Sequence, residues 1–300
     1  MEQFDKLRAL LSVRCPELEL REKEPMSRHT TFRVGGPCAL MALPKTAQQA
    51  SAAVAAAHEL DIAPFFLGNG SNLLVPDQGV ERFLIKTTGL DWVNREGNFL
   101  AAGGGITLAR LAQFAQREGL SGLEFAHGIP GSLGGGVTMN AGAYGGELKD
   151  VVRSVICLNE AGVEETVSDC DFGYRRSAFS DGRRMVLSAR LELIPGDPQA
   201  IQERMRELSA RRQAKQPLEY PSAGSMFKRP AGHFAAALID QCGLKGYLVG
   251  GAQVSEKHAG FVVNRGGATC GDILTLVDRV KTVVLEKTGV ELEMEVKLLQ

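Results

Sequence analysis

The sequence predicts a soluble globular chain of mixed strands and helices, divided into two parts. Three observations carry this. The 300 residues are 44% hydrophobic and 23% charged, an ordinary balance with length enough for two domains. Strand-like and helix-like runs both occur, but the one Gly68-x-Gly70 turn is not followed by a helix. Leu73 stands where the third glycine of a dinucleotide fingerprint would be, and residues 72–75 (NLLV) read as strand, so a Rossmann unit is excluded. Finally, Pro195-Gly196-Asp197-Pro198 punctuates the chain, and the composition beyond it becomes more charged.

The elements follow in order. Residues 2–14 predict an amphipathic helix with Phe4, Leu7, Leu10 and Leu11 on one face. Residues 29–38 (HTTFRVGGPC) read as a strand ending in a Gly-Gly-Pro turn, and residues 38–43 as a second, apolar strand. Thr46 caps an alanine-rich helix to residue 60. Residues 64–80 are a strand–loop–strand with a Gly-Asn-Gly-Ser-Asn tip. Residues 82–87 and 98–105 are strands, and Thr107 caps a helix to Gln116 that Gly119 stops. Residues 151–167 form a hairpin around Ala161-Gly162, residues 171–179 a compact motif, and residues 185–194 a strand. Beyond Pro198 come a charged helix at 199–214, an irregular loop at 217–232 and a helix at 233–243 closed by Gly243. A short strand at 261–264 and an amphipathic helix at 272–287 follow, the latter with Ile273, Leu276, Val277, Val280 and Val284 in one stripe. The strict alternation at 289–300 predicts a last strand, with Val290, Leu292, Met294, Val296 and Leu298 facing a core and Glu291, Glu293, Glu295 and Lys297 facing away.

Several function classes are disfavoured. A net charge of −1 gives no reason to expect nucleic acid or an anionic membrane as partner. The pairs Arg175/Arg176 and Arg211/Arg212 remain local anion candidates, with solvated surface charge as the plainer reading. Six cysteines include no CxxC and none at metal-ligand spacing, and the histidines at 29, 58, 127, 233 and 258 form no HxxxH, so no metal is expected. The start, MEQFDKLRALL, lacks the apolar core of a secretory signal, and no run of 18 apolar residues occurs. The expectation is a cytoplasmic protein with free thiols.

Residues 125–146 (FAHGIPGSLGGGVTMNAGAYGG) stand apart. They contain no Asp, Glu, Lys or Arg, and eight of the nineteen residues at 128–146 are glycine. Glycine where charge is absent predicts a buried segment whose backbone lies against something large. Bare N–H groups without a competing carboxylate suit a phosphate or a ring oxygen. The alternative is a tight turn region of a glycine-rich β domain.

Five motifs together carry a resemblance: HTTFRVGG (29–36), LGNGSNLLVPD (67–77), GIPGSLGGGVTMNAGAYG (128–145), FGYRRSAF (172–179) and the pair PSAGSMFKRP (221–230) and HAGFVVN (258–264). In order, and over nearly the whole length, the chain resembles the UDP-N-acetylenolpyruvoylglucosamine reductase family, and its ending resembles the shorter, type II branch. The resemblance implies an α+β protein. Residues 1–196 would form a two-lobed FAD-binding domain of the vanillyl-alcohol-oxidase (PCMH) type, with lobes at roughly 1–88 and 89–196. Residues 197–300 would form an α+β substrate-binding domain whose last strand returns to the first. It implies NADPH-dependent, FAD-mediated reduction of UDP-N-acetyl-enolpyruvylglucosamine to UDP-N-acetylmuramate for peptidoglycan and cell-wall synthesis, by a monomer.

By the same resemblance Gly68, Asn69, Gly70, Ser71, Asn72 and Leu73, with Pro130, Gly131, Ser132, Gly134 and Gly135, surround the FAD diphosphate. Thr138, Asn140, Ala141 and Gly142 lie toward the ring or ribityl. Hydride from reduced flavin would reach the methylene carbon of the substrate. Negative charge then grows toward the carboxylate and calls for donors aimed at it, and a proton must reach the α-carbon from one face. Arg175 matches the family's catalytic arginine, Ser225 its proton donor and Glu295 its acidic partner. Tyr174, Lys228, Arg229, His258 and Asn264 are carried over as substrate-binding candidates. Arg229 stands where Asn is frequent in the family, and Lys297 where Arg is.

Each catalytic candidate has a plainer reading. Glu295 lies on the polar face of the alternation, Ser225 in a Gly-Ser turn, and the pattern leaves open which of Arg175 and Arg176 points inward. Two other functions compete. A flavoenzyme of the same fold oxidising an alcohol or hydroxy acid would have no reason to keep Ser225 and Glu295 together. A non-catalytic nucleotide-sugar or flavin-binding protein would scatter the three candidates.

Overall fold

The computed structural model describes residues 2–300. They fall into two compact units, each built from separated stretches of chain. One comprises the chain up to Glu24, Ala39–Asn69 and Glu81–Ala210; the other comprises Pro25–Cys38, Gly70–Val80 and Arg211–Gln300.

The first unit carries two large sheets beside two short two-stranded ones. Four strands run in the order Glu19–Pro25, Pro37–Leu43, Val80–Lys86 and Phe65–Leu67, the last two parallel with Leu67 opposite Lys86. Helices Glu2–Arg14 and Ala47–Glu59 supply Leu7, Leu11, Ala53, Val54 and Ala57 to a core shared with Leu40, Phe83 and Ile85. Thr46 caps the second helix by accepting from Gln49 N at 3.2 Å, a contact worth ~1 kcal/mol. A five-stranded antiparallel sheet runs in the order Glu164–Val167, Val152–Leu158, Met185–Glu192, Phe99–Gly103 and Val93–Glu96. Its core takes Leu108, Leu111 and Ala112 from the helix Leu108–Arg117 and Leu133 and Val137 from the helix Leu133–Met139.

The second unit is smaller and less regular. A meander of Leu248–Val249, Ala252–Val254 and Val262–Asn264 packs with helices Ala235–Gln241 and Cys270–Thr288, and Lys297–Leu298 pairs parallel with Leu73–Leu74. The long helix has both ends defined. Thr269 and Asp272 form a reciprocal capping box, and Gly289 closes it at φ +72°. Its expected stripe of Ile273, Leu276, Val277, Val280 and Val284 is fully buried against Phe32, Leu74, Met226 and Leu292. Among the described residues no helix is long and apolar enough to cross a membrane.

Three expectations are corrected. Residues 29–33 form turns rather than a strand. Thr30 Oγ1 donates to Val34 O (3.0 Å) and Arg33 turns at φ +56°, so a local side-chain bond replaces a ladder. The strand in this region is Glu19–Pro25, whose charged sequence hides it. The stretch 125–146 is not buried throughout, since Pro130, Gly135, Tyr144 and Gly145 are exposed, and it holds a helix the glycines concealed. Glycine costs about 1 kcal/mol per helical position, but Gly136 leaves room for Leu148 and Leu108, and Gly134 for the Gly104 backbone. Finally, residues 289–300 are strand only at Lys297–Leu298, with a single bridge between Met294 and Phe227. Leu292 and Val296 are buried as the alternation requires, but isolated bridges replace a continuous ladder.

Candidate active site

The tip after Phe65–Leu67 is shaped by close backbone approach. Gly68 lies so near Ser132 that a Cβ there would meet the serine Oγ. Gly70 turns at φ +62° with its α-carbon against the carbonyl of His29, and Thr31 N donates to Gly70 O at 3.2 Å. The turn at 29–33 therefore buttresses the tip, which gives HTTFRVGG a reason to accompany it. Asn69 and Ser71 are half-buried, and Leu73 is buried in its pair with Lys297.

The second glycine-rich stretch is anchored almost wholly by backbone. Leu108 N donates to Gly131 O (3.0 Å) and Gly134 N to Gly104 O (2.8 Å). Ser132 is buried and caps the helix Leu133–Met139 by accepting from Gly135 N at 3.4 Å. Gly135 is exposed, and a side chain there would face only that hydroxyl. Thr138 Oγ1 donates to Gly134 O, Ala141 N to Gly136 O, and Gly142 pairs with Glu147.

This helix end also holds the FGYRRSAF motif. Ser177 Oγ and Ser180 Oγ both donate to Thr138 O, at 3.0 and 2.9 Å. Asn140, buried and left-handed at φ +43°, donates to Gly173 O (3.0 Å) and Glu147 Oε2 (2.9 Å) and accepts from Lys149 N. The two arginines are now distinguishable. Arg176 is exposed and pairs with Asp171 at 3.0 Å. Arg175 is half-buried beside the exposed Tyr174, its guanidinium 5.2 Å from that ring's centroid. Its backbone sits at φ +55°, a strained conformation for a non-glycine residue that the bonds to Thr138 and Asn140 hold in place. The Glu147 carboxyl is kept below the usual range by a hydrogen bond from Lys149, helped by Asn140 and the charge of Arg175.

In the second unit Ser225 and Glu295 come together. Residues 225–228 run alongside residues 293–295: Glu295 N donates to Met226 O (2.9 Å), Lys228 N to Glu293 O (2.8 Å), and Phe227 bridges Met294. On its other side Glu295 O accepts from Asn72 Nδ2 at 3.1 Å, and Lys297 N donates to Asn72 O. Asn72 and the runs that carry the serine and the glutamate are thus joined by backbone bonds. Ser225 is exposed, bridged only to Phe261, while Glu295 is half-buried rather than solvated.

The remaining candidates are placed as follows. Lys228 forms an ion pair with Glu293, and Arg229 stacks 4.0 Å over Phe234. His258 packs edge-on against Phe261 and accepts from Gly260 N, and burial lowers its pKa. Asn264 is buried and donates to Phe32 O while accepting from Gly266 and Ala268 N, so its side chain is occupied in shaping the loop. Sequence reasoning missed Ser177, Ser180 and Asp77. Asp77 accepts from Cys270 N and Gly271 N at the start of the long helix. Ser177 and Asp77 lie inside the motifs FGYRRSAF and LGNGSNLLVPD, and Ser180 stands just after the first, but nothing in the sequence gives any of them a role of its own.

Comparison with known proteins gives one answer. Residues 38–168 match the model of an FAD binding domain, and residues 216–299 that of the UDP-N-acetylenolpyruvoylglucosamine reductase C-terminal domain. A UDP-N-acetylenolpyruvoylglucosamine reductase of Latilactobacillus sakei is 45% identical over 284 residues, covering 94% of each chain. The Listeria monocytogenes protein of that name is 45% identical over 96% of this chain and 98% of its own. The crystal structure of the Thermus caldophilus reductase superposes with a TM-score of 0.82 at 36% identity, covering 94% of this chain and all of that one. A glucose oxidase variant of Phl p 4, at TM-score 0.51 and 14% identity over 66% of this chain and 45% of its own, shares the fold alone. The fold is α+β, with an FAD-binding part of the PCMH type.

The residues present suit that cofactor. No carboxylate lies between 125 and 146, Gly135 presents open backbone, and Gly68 and Ser132 form a close-set glycine–hydroxyl pair. Such a donor set accepts an anion and leaves room for its bulk. On this geometry and on identity over nearly its full length, the chain belongs to the UDP-N-acetylenolpyruvoylglucosamine reductase family.

Proposed function

We propose that the protein reduces the enolpyruvyl ether of UDP-N-acetylglucosamine to UDP-N-acetylmuramate, a peptidoglycan precursor, with FAD as cofactor and NADPH as reductant. The observation that carries the catalytic reading is the pairing of Ser225 and Glu295 on adjacent backbone, with Asn72 of the glycine-rich tip bonded to Glu295 O. Bound FAD supplies hydride transfer, from NADPH to the methylene carbon of the substrate. Arg175 holds the substrate carboxylate, because a planar guanidinium engages both oxygens as negative charge grows there. Ser225 gives its hydroxyl proton to the α-carbon. A serine is a weak acid, and it serves because the carbanion it meets is strongly basic. Glu295 acts with Arg175 on the developing enolate. Lys228, Arg229 and Tyr174 are assigned to the nucleotide-sugar, and His258 and Asn264 support the loop beside it.

In this reading residues 1–196 carry the cofactor and 197–300 the substrate. The segments Pro25–Cys38 and Gly70–Val80 cluster with Arg211–Gln300. The enzyme works as a cytoplasmic monomer; its six cysteines are all free thiols, as a reducing compartment allows. Equilibrium sedimentation checks the oligomeric state.

The purified protein is expected to be yellow, absorbing near about 450 nm as oxidised flavin does. Anaerobic NADPH bleaches it, and the enolpyruvyl nucleotide restores the colour. A colourless protein that takes up no FAD contradicts the proposal. Bleaching without reoxidation by this substrate would point instead to a flavoenzyme acting on another compound.

A further inference from the structure

Neither glycine-rich segment, residues 64–80 or 125–146, contains a lysine or arginine. A diphosphate held there would meet backbone and hydroxyl dipoles but no full positive charge from those segments. The fold brings one from elsewhere. Lys86 ends the strand Val80–Lys86, and its register opposite Leu67 delivers it to the point where strand Phe65–Leu67 becomes the glycine-rich tip. Its Nζ lies 3.4 Å from Gly68 O, and Gly68 is the residue packed against Ser132 Oγ. An ammonium, a hydroxyl and the first residues of a carboxylate-free turn, Gly68 and Asn69, therefore meet within one unit.

Lys86 is half-buried, and among the described residues no carboxylate acts on it. The charged group that does is Arg21, itself paired with Glu19 (2.6 Å) and Glu24 (3.3 Å). A cation withdrawn from water without an acid partner is costly unless an anion arrives. Burial, with Arg21 adding repulsion, pushes the ammonium down to about 8.

We propose that Lys86 contacts the diphosphate of bound FAD and supplies the positive charge that the two glycine-rich segments lack. The inference rests on the assignment of FAD as cofactor. An arriving diphosphate raises the pKa of the ammonium, so FAD binding draws a proton onto Lys86 where the free protein has lost it. Affinity is then full below about pH 8 and falls as pH rises above it.

The test is FAD binding to flavin-stripped protein, followed by quenching of flavin fluorescence. The wild type is expected to bind about tenfold more weakly at pH 9 than at pH 7, from linkage to one group of this pKa. Lys86→Met is expected to lose roughly tenfold to a hundredfold in affinity at pH 7, the scale of a charged hydrogen bond, and to show no further loss at pH 9. Lys86→Arg keeps its charge throughout this range, so it holds affinity at pH 7 and loses the pH dependence. A Met variant that binds FAD as tightly as wild type, or either variant retaining the wild-type pH dependence, overturns the role. A wild-type protein that binds no FAD at either pH overturns the cofactor assignment itself, an outcome distinct from a failure of Lys86 alone.

Discussion

Residues 131–142 and the paired segments 225–228 and 293–297 use backbone in opposite ways. In the first, side chains are removed so that main chain meets main chain: Gly134 sits on Gly104, Gly136 under Leu148, and Asn140 makes three bonds to neighbouring loops. In the second, a few backbone bonds fix the chain while particular side chains stay available, with Ser225 exposed and Glu295 half-buried on the neighbouring run. The contrast teaches how labour divides in this fold. The region proposed to hold the cofactor is specified by what is absent, so a side chain at Gly134, Gly136 or Gly142 disturbs packing. The region proposed as catalytic is specified by single functional groups, so a substitution there is expected to leave the fold and remove a step.

Perturbing each region sharpens that contrast. The largest effect belongs to the catalytic side. Glu295→Ala is expected to lower kcat by roughly a hundredfold or more, the scale of a positioned acid–base or electrostatic group, while thermal stability changes little. Steady-state kinetics beside a melting curve checks this, and a matched loss of stability would undo the contrast. Next comes Gly136→Val, whose side chain must displace Leu148 and Leu108. Overpacking of this kind costs about 1–3 kcal/mol; denaturant unfolding should show it, with FAD content falling in step. Gly70→Ala places a Cβ on His29 O at φ +62° and is expected to cost about 1–3 kcal/mol as a strained left-handed residue.

The smallest effect is expected at the start of the long helix Cys270–Thr288. Thr269→Ala removes one half of the capping box and should cost about 1 kcal/mol. Its partner Asp272 has its carboxyl held below the usual range by the N–H groups of Thr269 and then Gly251. The stabilisation from a depressed carboxylate is present above its unfolded pKa and lost as pH falls through the folded one. The penalty of Asp272→Asn should therefore appear near neutral pH and shrink toward about pH 3, a comparison of melting temperatures at the two pH values.

Much of this was legible along the chain. The helices at Ala47–Glu59 and Leu108–Arg117 announce themselves through Thr46 and Thr107, and that at Cys270–Thr288 through its periodic apolar residues, because caps and stripes are local. The helix Leu133–Met139 was hidden because its glycines answer to neighbours distant in sequence. Residues 289–300 show the converse. The alternation predicts burial of Leu292 and Val296 correctly, but strand pairing depends on a partner, and residues 225–228 offer this segment one isolated bridge, Phe227 to Met294. Glu295 read as solvated for the same reason: its period is local, while the chains at Met226 and Asn72 that flank it are not. Resemblance across five motifs named Arg175, Ser225 and Glu295, but only the fold separates Arg175 from Arg176, through the φ of one and the Asp171 pairing of the other.

In the proposed enzyme, cofactor binding and the chemistry on substrate rest on separate residues. Stopped-flow measurement of the two anaerobic half-reactions in Ser225→Ala tests it most directly. The account predicts flavin reduction by NADPH at nearly the wild-type rate, and reoxidation by the enolpyruvyl nucleotide slowed by roughly 10² to 10⁴ through loss of the proton donor. Equal slowing of both half-reactions, or reoxidation at the wild-type rate, would contradict it.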